Sequence, residues 1–195
     1  MPKLDEATFL ARLAAFIKRP NSAEAQQLAD VGDERALPAL VAAMADTMEG
    51  QDVVRYRQAV RTLASAPLLR RLLGGELEAR RTAAHALTAH DPTHAPLIGL
   101  ALRDEDDQVR AIARRSLRAW TASPALHDLF RDTLGNPDPR VRLLAAEGLG
   151  KLGEPADLPA LTASLAAETD SPARDRLAWA VERIEDDAAR TPTDP

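Results

Sequence analysis

Apolar and polar positions alternate with a helical period in a unit that is clearest in residues 136–165. Asp138 and Pro139 predict a helix start there, because aspartate accepts N–H bonds at an N-cap and proline suits the first helical position. Gly150 and Gly153 predict the end of this helix. Its apolar positions are small and recur on one face: Val141, Ala145, Ala146 and Leu149.

A second helix is predicted directly after the first, opened by Asp157 and Pro159. Its apolar residues again fall on one face, at Leu158, Leu161 and Leu165. Two short helices of this kind cannot bury their apolar faces alone, so neighbouring copies must stack on them. The unit therefore predicts an array of helix pairs.

The same frame recurs along the chain when the copies are aligned on Arg142. The other anchor positions are Tyr56, Arg80, Arg110 and Arg174. With Arg142 included, successive anchors are separated by 24, 30, 32 and 32 residues. An acidic residue stands four positions before each anchor: Asp52, Glu76, Asp106, Asp138 and Asp170. A degenerate sixth copy is anchored at Asn21, behind a predicted first helix over residues 6–18. Atypical terminal copies are expected in a stacked array.

These registers predict a single domain over residues 1–187, followed by a frayed tail over 188–195. The expected units are about 4–31, 32–66, 67–90, 91–122, 123–153 and 154–187. The predicted second helices are 33–46, 67–73, 96–103, 124–134 and 157–167. No alternating strand pattern is present in the sequence, so we expect an all-α chain.

Composition narrows the function classes. Apolar residues make up 45% of the chain but aromatic residues only 3%, which suits closely packed helices, and cysteine is absent. The net charge of −5 disfavours non-specific binding to nucleic acid or to an anionic membrane. The first residues lack the pattern of a signal peptide, and no apolar run is long enough to span a membrane. We therefore expect a cytoplasmic protein without membrane association.

The stretch Asp138–Leu161, DPRVRLLAAEGLGKLGEPADLPAL, resembles HEAT repeats. It is more similar to the short HEAT-like repeats first named for phycobilisome (bilin) lyases, and the resemblance extends over about residues 21–185. It implies a right-handed α-solenoid of about six helix pairs. It does not imply one function, since this fold carries many activities.

The anchor arginines lie within the apolar arc of each first helix. We therefore expect Arg80, Arg110, Arg142 and Arg174 along the seam between repeats, paired with the acidic residues at the helix starts, because a buried guanidinium needs a partner. Specifically, Arg110 and Arg142 are expected to be largely buried and bonded to carboxylates such as Asp106 or Asp138, in their own or an adjacent repeat.

The opposite arc of the first helices is the candidate binding surface, which lines the concave side in proteins of the resembled family. Seven residues of this arc are basic and two are acidic, in a chain of net charge −5. The alternative interpretation is a solvated arginine-rich face, with Trp179 packed against the last repeat. The predicted binding residues are Arg57, Arg61, Arg81, His85, Ile112, Arg115, Leu143, Leu144, Glu147, Lys151, Arg176, Trp179 and Arg183.

No metal, cofactor or catalytic residue is expected. His90, Asp91 and His94 are close in sequence, but Pro92 places them in a loop rather than on one helix face. His127 is interpreted as a surface residue, and Trp120 as a packing residue.

Three functional hypotheses remain open. The first is a non-enzymatic scaffold or adaptor that holds an acidic or extended segment of another protein in its concave groove. The second is a nucleic-acid binder similar to HEAT-like alkylpurine DNA glycosylases, against which stands the acidic stretch at residues 104–107. Only Glu147 and Asp175 could supply the carboxylate that those enzymes use. The third is a bilin lyase or lyase chaperone, suggested by the family resemblance.

Overall fold

A computed structural model describes residues 5–47, 51–88, 91–119 and 124–190. Every regular element in those ranges is helical, which confirms the predicted all-α fold built from short helices. The twelve α-helices among the described residues are α1 Glu6–Lys18, α2 Ser22–Val31, α3 Leu37–Asp46, α4 Gln51–Leu63, α5 Ala66–Leu73, α6 Leu77–Ala86, α7 Ala95–Ala101, α8 Asp107–Ala119, α9 His127–Thr133, α10 Pro139–Leu152, α11 Leu158–Ala167 and α12 Ser171–Arg190.

The predicted second helices correspond to α3, α5, α7, α9 and α11. Four of them follow a short 3₁₀ turn, at Glu34–Ala36, Pro92–His94, Pro124–Leu126 and Pro155–Asp157. The carboxylates of Asp33 and Asp91 accept backbone N–H groups at the first two of these turns. A 3₁₀ turn tightens the approach to the helix, so each connection stays short.

The chain divides into two compact units, residues 1–87 and 88–195. In the first unit, α2 and α3 pack against α4, and α6 packs against α3 and α5. Phe9 and Phe16 are fully buried there, and the Phe16 ring meets Tyr56 edge to face at 6.2 Å. Tyr56, the non-arginine anchor, is therefore a core residue. The predicted single domain and its repeat boundaries stay a prediction.

In the second unit, α10 packs against α8, α9 and α12, and α11 packs against α12. Two glycines of α10 permit this close packing. A Cβ atom would lie 2.6 Å from the Phe130 ring at Gly148, and 2.6 Å from the Trp179 ring at Gly150. Gly150 was predicted to end the helix, which is wrong: the helix continues to Leu152. Gly153 ends it, as predicted, in the left-handed conformation at φ 73°.

The last helix extends farther than the sequence predicted. Fraying was expected beyond residue 187, but α12 is helical to Arg190. Asp186 and Asp187 lie 3.7 and 3.6 Å from the Arg190 guanidinium, at helical spacings that favour the helix. Residues 191–195 lie outside the described ranges.

Candidate functional site

The loops that precede α8, α10 and α12 share a backbone arrangement that begins six residues before the anchor. A side-chain oxygen at this position accepts the backbone N–H two residues later, closing a compact turn. The three acceptors bond at 2.9 Å, and they are Asp104, Asn136 and Glu168. Only the third of these residues has a side chain long enough to reach farther into the neighbouring repeat.

Three of the five acidic residues that stand four positions before the anchors cap their helices through side-chain hydrogen bonds. Asp106 accepts the N–H of Val109 at 3.0 Å, and Asp170 accepts the N–H of Ala173 at 3.1 Å. Asp138 accepts the N–H of Arg140 at 2.9 Å. Their spacing is therefore set by the unpaired N–H groups at each helix start. For Arg142, pairing with the cap carboxylate of its own helix is not found, since Asp138 pairs with Arg114 and Arg140.

Three of the anchor arginines bind the loops in front of their own helices. Nη1 of Arg110 donates to the carbonyls of Asp104 and Glu105, at 2.5 and 2.8 Å. Nη1 of Arg142 donates to the corresponding carbonyls of Asn136 and Pro137, at 2.8 and 3.1 Å. Nη1 of Arg80 donates in the same way to the carbonyl of Gly75, at 3.1 Å. Each of these arginines thus satisfies loop carbonyls that the helix ladder leaves unpaired.

The burial predicted specifically for Arg110 and Arg142 is confirmed for Arg142. Its side chain is 19% exposed and forms a bidentate pair with Glu168, 26 residues later, rather than with Asp138. The side chain of Arg110 is 31% exposed and pairs with Asp107 in its own first helical turn. Arg174 is exposed. Asp138 pairs with Arg114 at 2.8 Å, and so links α8 to the start of α10.

The hydrogen bond from Arg142 lowers the pKa of Glu168 to about 2, although burial of the carboxylate acts in the opposite direction. The backbone N–H groups of Thr169 and Asp170 also stabilise the ionised form. Glu168 is therefore charged and held in place from both sides at neutral pH.

A cleft of about 940 Å³ lies between the start of α8 and the loop before α10. Its arginines are internally compensated, since Arg114 and Arg140 pair with Asp138 and Arg110 pairs with Asp107. The buried side-chain amide nitrogen of Asn136, at the cleft, has no hydrogen-bond acceptor among the described residues. The charges that line the cleft therefore largely cancel.

The predicted binding residues of the first unit lie on α4 and α6. Arg57 and Arg61 are exposed, whereas Arg81 and His85 are partly buried. Arg81 donates to the exposed carboxylate of Glu78 at 2.8 Å, so its charge is partly compensated.

In the second unit, two of the predicted apolar binding residues are not exposed. Ile112 is 7% exposed and Leu144 is 5% exposed, so both belong to the core. The expectation was wrong because α8 and α10 contact helices on several sides, which widens the buried arc beyond the apolar stripe. Arg115 is exposed, and no carboxylate lies within ion-pair distance of it among the described residues.

The remaining predicted residues of this unit form one surface on α10 and α12, which we call the Trp179 surface. Its members are Leu143, Glu147, Lys151, Arg176, Trp179 and Arg183. Trp179 is partly buried against Gly150, and the guanidinium carbons of Arg176 and Arg183 lie 5.1 and 5.8 Å from its ring centre. Both distances are within the range of a cation–π interaction.

The charges of the Trp179 surface are unevenly compensated. Lys151 pairs with Glu147 at 2.6 Å, and Arg183 donates to the carbonyl of Gly150 at 3.0 Å. Arg176 has no carboxylate partner among the described residues and contacts the indole ring instead. The surface therefore presents an aromatic ring in contact with two guanidinium groups, and that of Arg176 is available to bind a carboxylate.

A separate cluster joins α9 to the turn before α11. Nε2 of His127 lies 2.8 Å from Oδ2 of Asp157 and 3.3 Å from Oε2 of Glu154. Nε and Nη2 of Arg131 donate to the other oxygen of Asp157, at 3.0 and 2.5 Å. Asp157 stands at the start of α11, as predicted, but its side chain is fully buried and makes no capping bond to that helix.

Burial lowers the pKa of His127, but the hydrogen bond and charge of Asp157 and the charge of Glu154 outweigh it, so the pKa is raised. The sequence analysis missed this cluster. The only local signal is the helical spacing of His127 and Arg131, since Asp157 lies in the following repeat.

The histidine in the loop, His94, is buried and accepts the N–H of Thr88 at 3.2 Å. His90 and Trp120 lie outside the described residues.

Comparison with known proteins supports the repeat assignment. Residues 94–182 match the family model described as HEAT repeats. A search of the curated proteins finds no match. In the part of the chain that the structure describes, no helix is long and apolar enough to cross a membrane.

Among solved structures, an engineered protein is 19% identical over 95% of this chain and 93% of its own, with a TM-score of 0.45. A designed armadillo repeat protein in complex with the peptide (KR)4 is 16% identical over 94% and 95%, with a TM-score of 0.43. The complex of CpcE and CpcF of phycocyanin lyase from Nostoc sp. PCC7120 is 19% identical over 92% and 83%, with a TM-score of 0.30. With TM-scores below 0.5, these likenesses support no conclusion beyond the family match. The match to the HEAT-repeat model covers residues 94–182, just under half of the chain.

Proposed function

We propose that this protein is an interaction module that binds an acidic, extended segment of a partner protein on the Trp179 surface. The observation that carries the proposal is the contact of the Trp179 indole ring with two guanidinium groups, one of which lacks a carboxylate partner among the described residues. Tryptophan and arginine are the residue types that most often anchor protein interfaces.

The chemistry of this surface favours a carboxylate-bearing ligand. Stacking on Trp179 holds the Arg176 guanidinium in place while leaving its N–H groups available to a carboxylate, which it can bind in a bidentate manner. Lys151 adds a second positive charge, although Glu147 compensates it in part. An apolar side chain of the ligand would pack against Trp179 and Leu143.

The dimensions favour a short segment. From Leu143 to Lys151 the surface runs about 12 Å along α10, at 1.5 Å per helical residue. An extended chain advances about 3.3 Å per residue, so about four residues fit along α10. We therefore expect one or two acidic residues next to an apolar or aromatic one in the bound segment.

The proposal is tested with a peptide library of extended acidic and neutral sequences, measured by fluorescence anisotropy on the full chain. Arg176→Glu should lower the affinity for the acidic peptides by tenfold or more. Arg174→Glu is the matched control, because it makes the same charge change two positions away on the same helix, at an exposed residue on another side of α12. That variant should bind as the wild type does.

Equal losses in the two variants would contradict the proposal, because they would reflect general attraction rather than a defined surface. Binding of duplex DNA in place of acidic peptides, with an affinity that falls steeply with added salt, would favour the nucleic-acid hypothesis instead.

A further inference from the structure

We propose that His127, Glu154 and Asp157 form a binding site for a divalent transition-metal ion of the zinc type. The site lies in the second unit, between α9 and the turn before α11. It does not depend on the Trp179 surface, so either proposal can fail without the other.

The positions of the three side chains suit a shared ion. One ligand atom from each residue can be chosen so that all three lie within 4.8 Å of one another. Nε2 of His127 is 2.8 Å from the Asp157 carboxylate and 3.3 Å from the Glu154 carboxylate. Zinc bonds of about 2.0–2.1 Å in tetrahedral geometry place neighbouring ligand atoms about 3.3 Å apart, which is close to the two distances from His127.

The arrangement of donors and acceptors also favours an ion. Nε2 of His127 carries at most one proton, which can be donated fully to one of the two carboxylates that face it. A metal ion in place of that proton would be bonded by the ring nitrogen and by both carboxylates at once. It would also offset the repulsion between Glu154 and Asp157.

Groups around the three ligands hold them in suitable orientations. Arg131 occupies Oδ1 of Asp157 and leaves Oδ2 facing the histidine. The carboxylate of Asp128 lies 3.5 Å from Nδ1 of His127, on the side of the ring away from the cluster. Metal-bound histidines commonly have such a partner on the second nitrogen, which fixes the ring and its tautomer.

The composition of the site selects among ions. One imidazole and two carboxylates suit first-row ions such as Zn²⁺, whereas Mg²⁺ and Ca²⁺ prefer oxygen ligands alone. The two carboxylates and the Arg131 guanidinium sum to −1, so one divalent ion is electrostatically acceptable. Glu154 is 54% exposed, which gives an ion access from solvent and leaves room for water as a fourth ligand.

The test is isothermal titration of ZnCl₂ into the full chain after treatment with EDTA, with MgCl₂ in a parallel titration. We expect saturable binding of one Zn²⁺ ion, a higher melting temperature with Zn²⁺, and little response to Mg²⁺. Glu154→Gln is the main variant, because its exposed side chain can be replaced without disturbing the core. It should weaken Zn²⁺ binding about tenfold or more and abolish the thermal shift.

His127→Gln should act in the same direction, and His85→Gln is its matched control, since it removes a partly buried histidine of the other unit. The control should bind Zn²⁺ like the wild type. Absence of saturable Zn²⁺ binding, or equal affinities in the wild type and Glu154→Gln, would overturn the proposal and leave the cluster as a structural ion-pair network.

Discussion

Arg142 and Glu168 form a bidentate ion pair between consecutive repeats, with Nε–Oε2 and Nη2–Oε1 distances of 2.6 and 2.7 Å. The Glu168 carboxylate is 2% exposed and the Arg142 side chain 19%. The same guanidinium binds two carbonyls in the loop before its own helix. One side chain thus connects three segments: α10, the loop before it and the loop before α12.

Replacing Arg142 with alanine should lower the free energy of unfolding by about 3–5 kcal/mol, because the buried carboxylate of Glu168 loses its partner. Arg110→Ala is the matched control. Arg110 binds the equivalent loop carbonyls, but its carboxylate partner, Asp107, is almost fully exposed, so its ion pair adds about 1 kcal/mol or less. Chemical denaturation of both variants measures the difference. Equal losses would show that the loop carbonyls, not Glu168, account for the effect.

Stability should fall in acid as Glu168 is protonated. Its pKa in the folded protein is lowered from an ordinary value of 4.5 to about 2, mainly by the hydrogen bond from Arg142. The contribution of ionised Glu168 to the free energy of unfolding is therefore fully present above its ordinary pKa, and it is lost as the pH falls from about 4.5 towards 2. Denaturation curves at a series of pH values should show that the free energy of unfolding falls less steeply with decreasing pH in Glu168→Gln than in the wild type. An unchanged slope would mean that other carboxylates dominate the acid response.

Gly150→Ala should destabilise the second unit by about 1–3 kcal/mol, because the added methyl group would lie 2.6 Å from the Trp179 ring. The change should also shift the tryptophan emission. Gly135→Ala is the control: its Cβ would meet nothing within 4 Å, and its φ is not positive. A Gly150→Ala variant with wild-type stability and emission would contradict the close contact between α10 and α12.

Trp179→Ala should weaken the binding of an acidic peptide to the Trp179 surface by about 2 kcal/mol or more in binding free energy. Trp179→Phe retains an aromatic face for the two guanidinium groups and should lose less. Titrations by anisotropy measure the affinities, and circular dichroism melts show whether the variants remain folded. An unchanged affinity in folded Trp179→Ala would place the binding surface elsewhere on the protein.

The helices and their ends could be predicted from the sequence because both depend on near neighbours along the chain. The helix at residues 6–18 and the cap formed by Asp138, Pro139 and Gly153 are present as predicted. An N-cap bonds an N–H group two or three residues away, and a helical face repeats every three to four residues. Such signals are complete within one repeat.

Partners in other repeats could not be predicted in this way. Arg142 meets Glu168 rather than the nearer Asp138, and His127 meets Asp157 although 30 residues separate them. Ile112 and Leu144 are buried because neighbouring helices cover them, not because of their position on one helical wheel. The sequence by itself determined that the chain is helical, where the capped helices begin and which face of each helix is apolar, since those depend on near neighbours along the chain. The tertiary structure decided which charges meet and which faces are covered, since these depend on the distances between stacked helices.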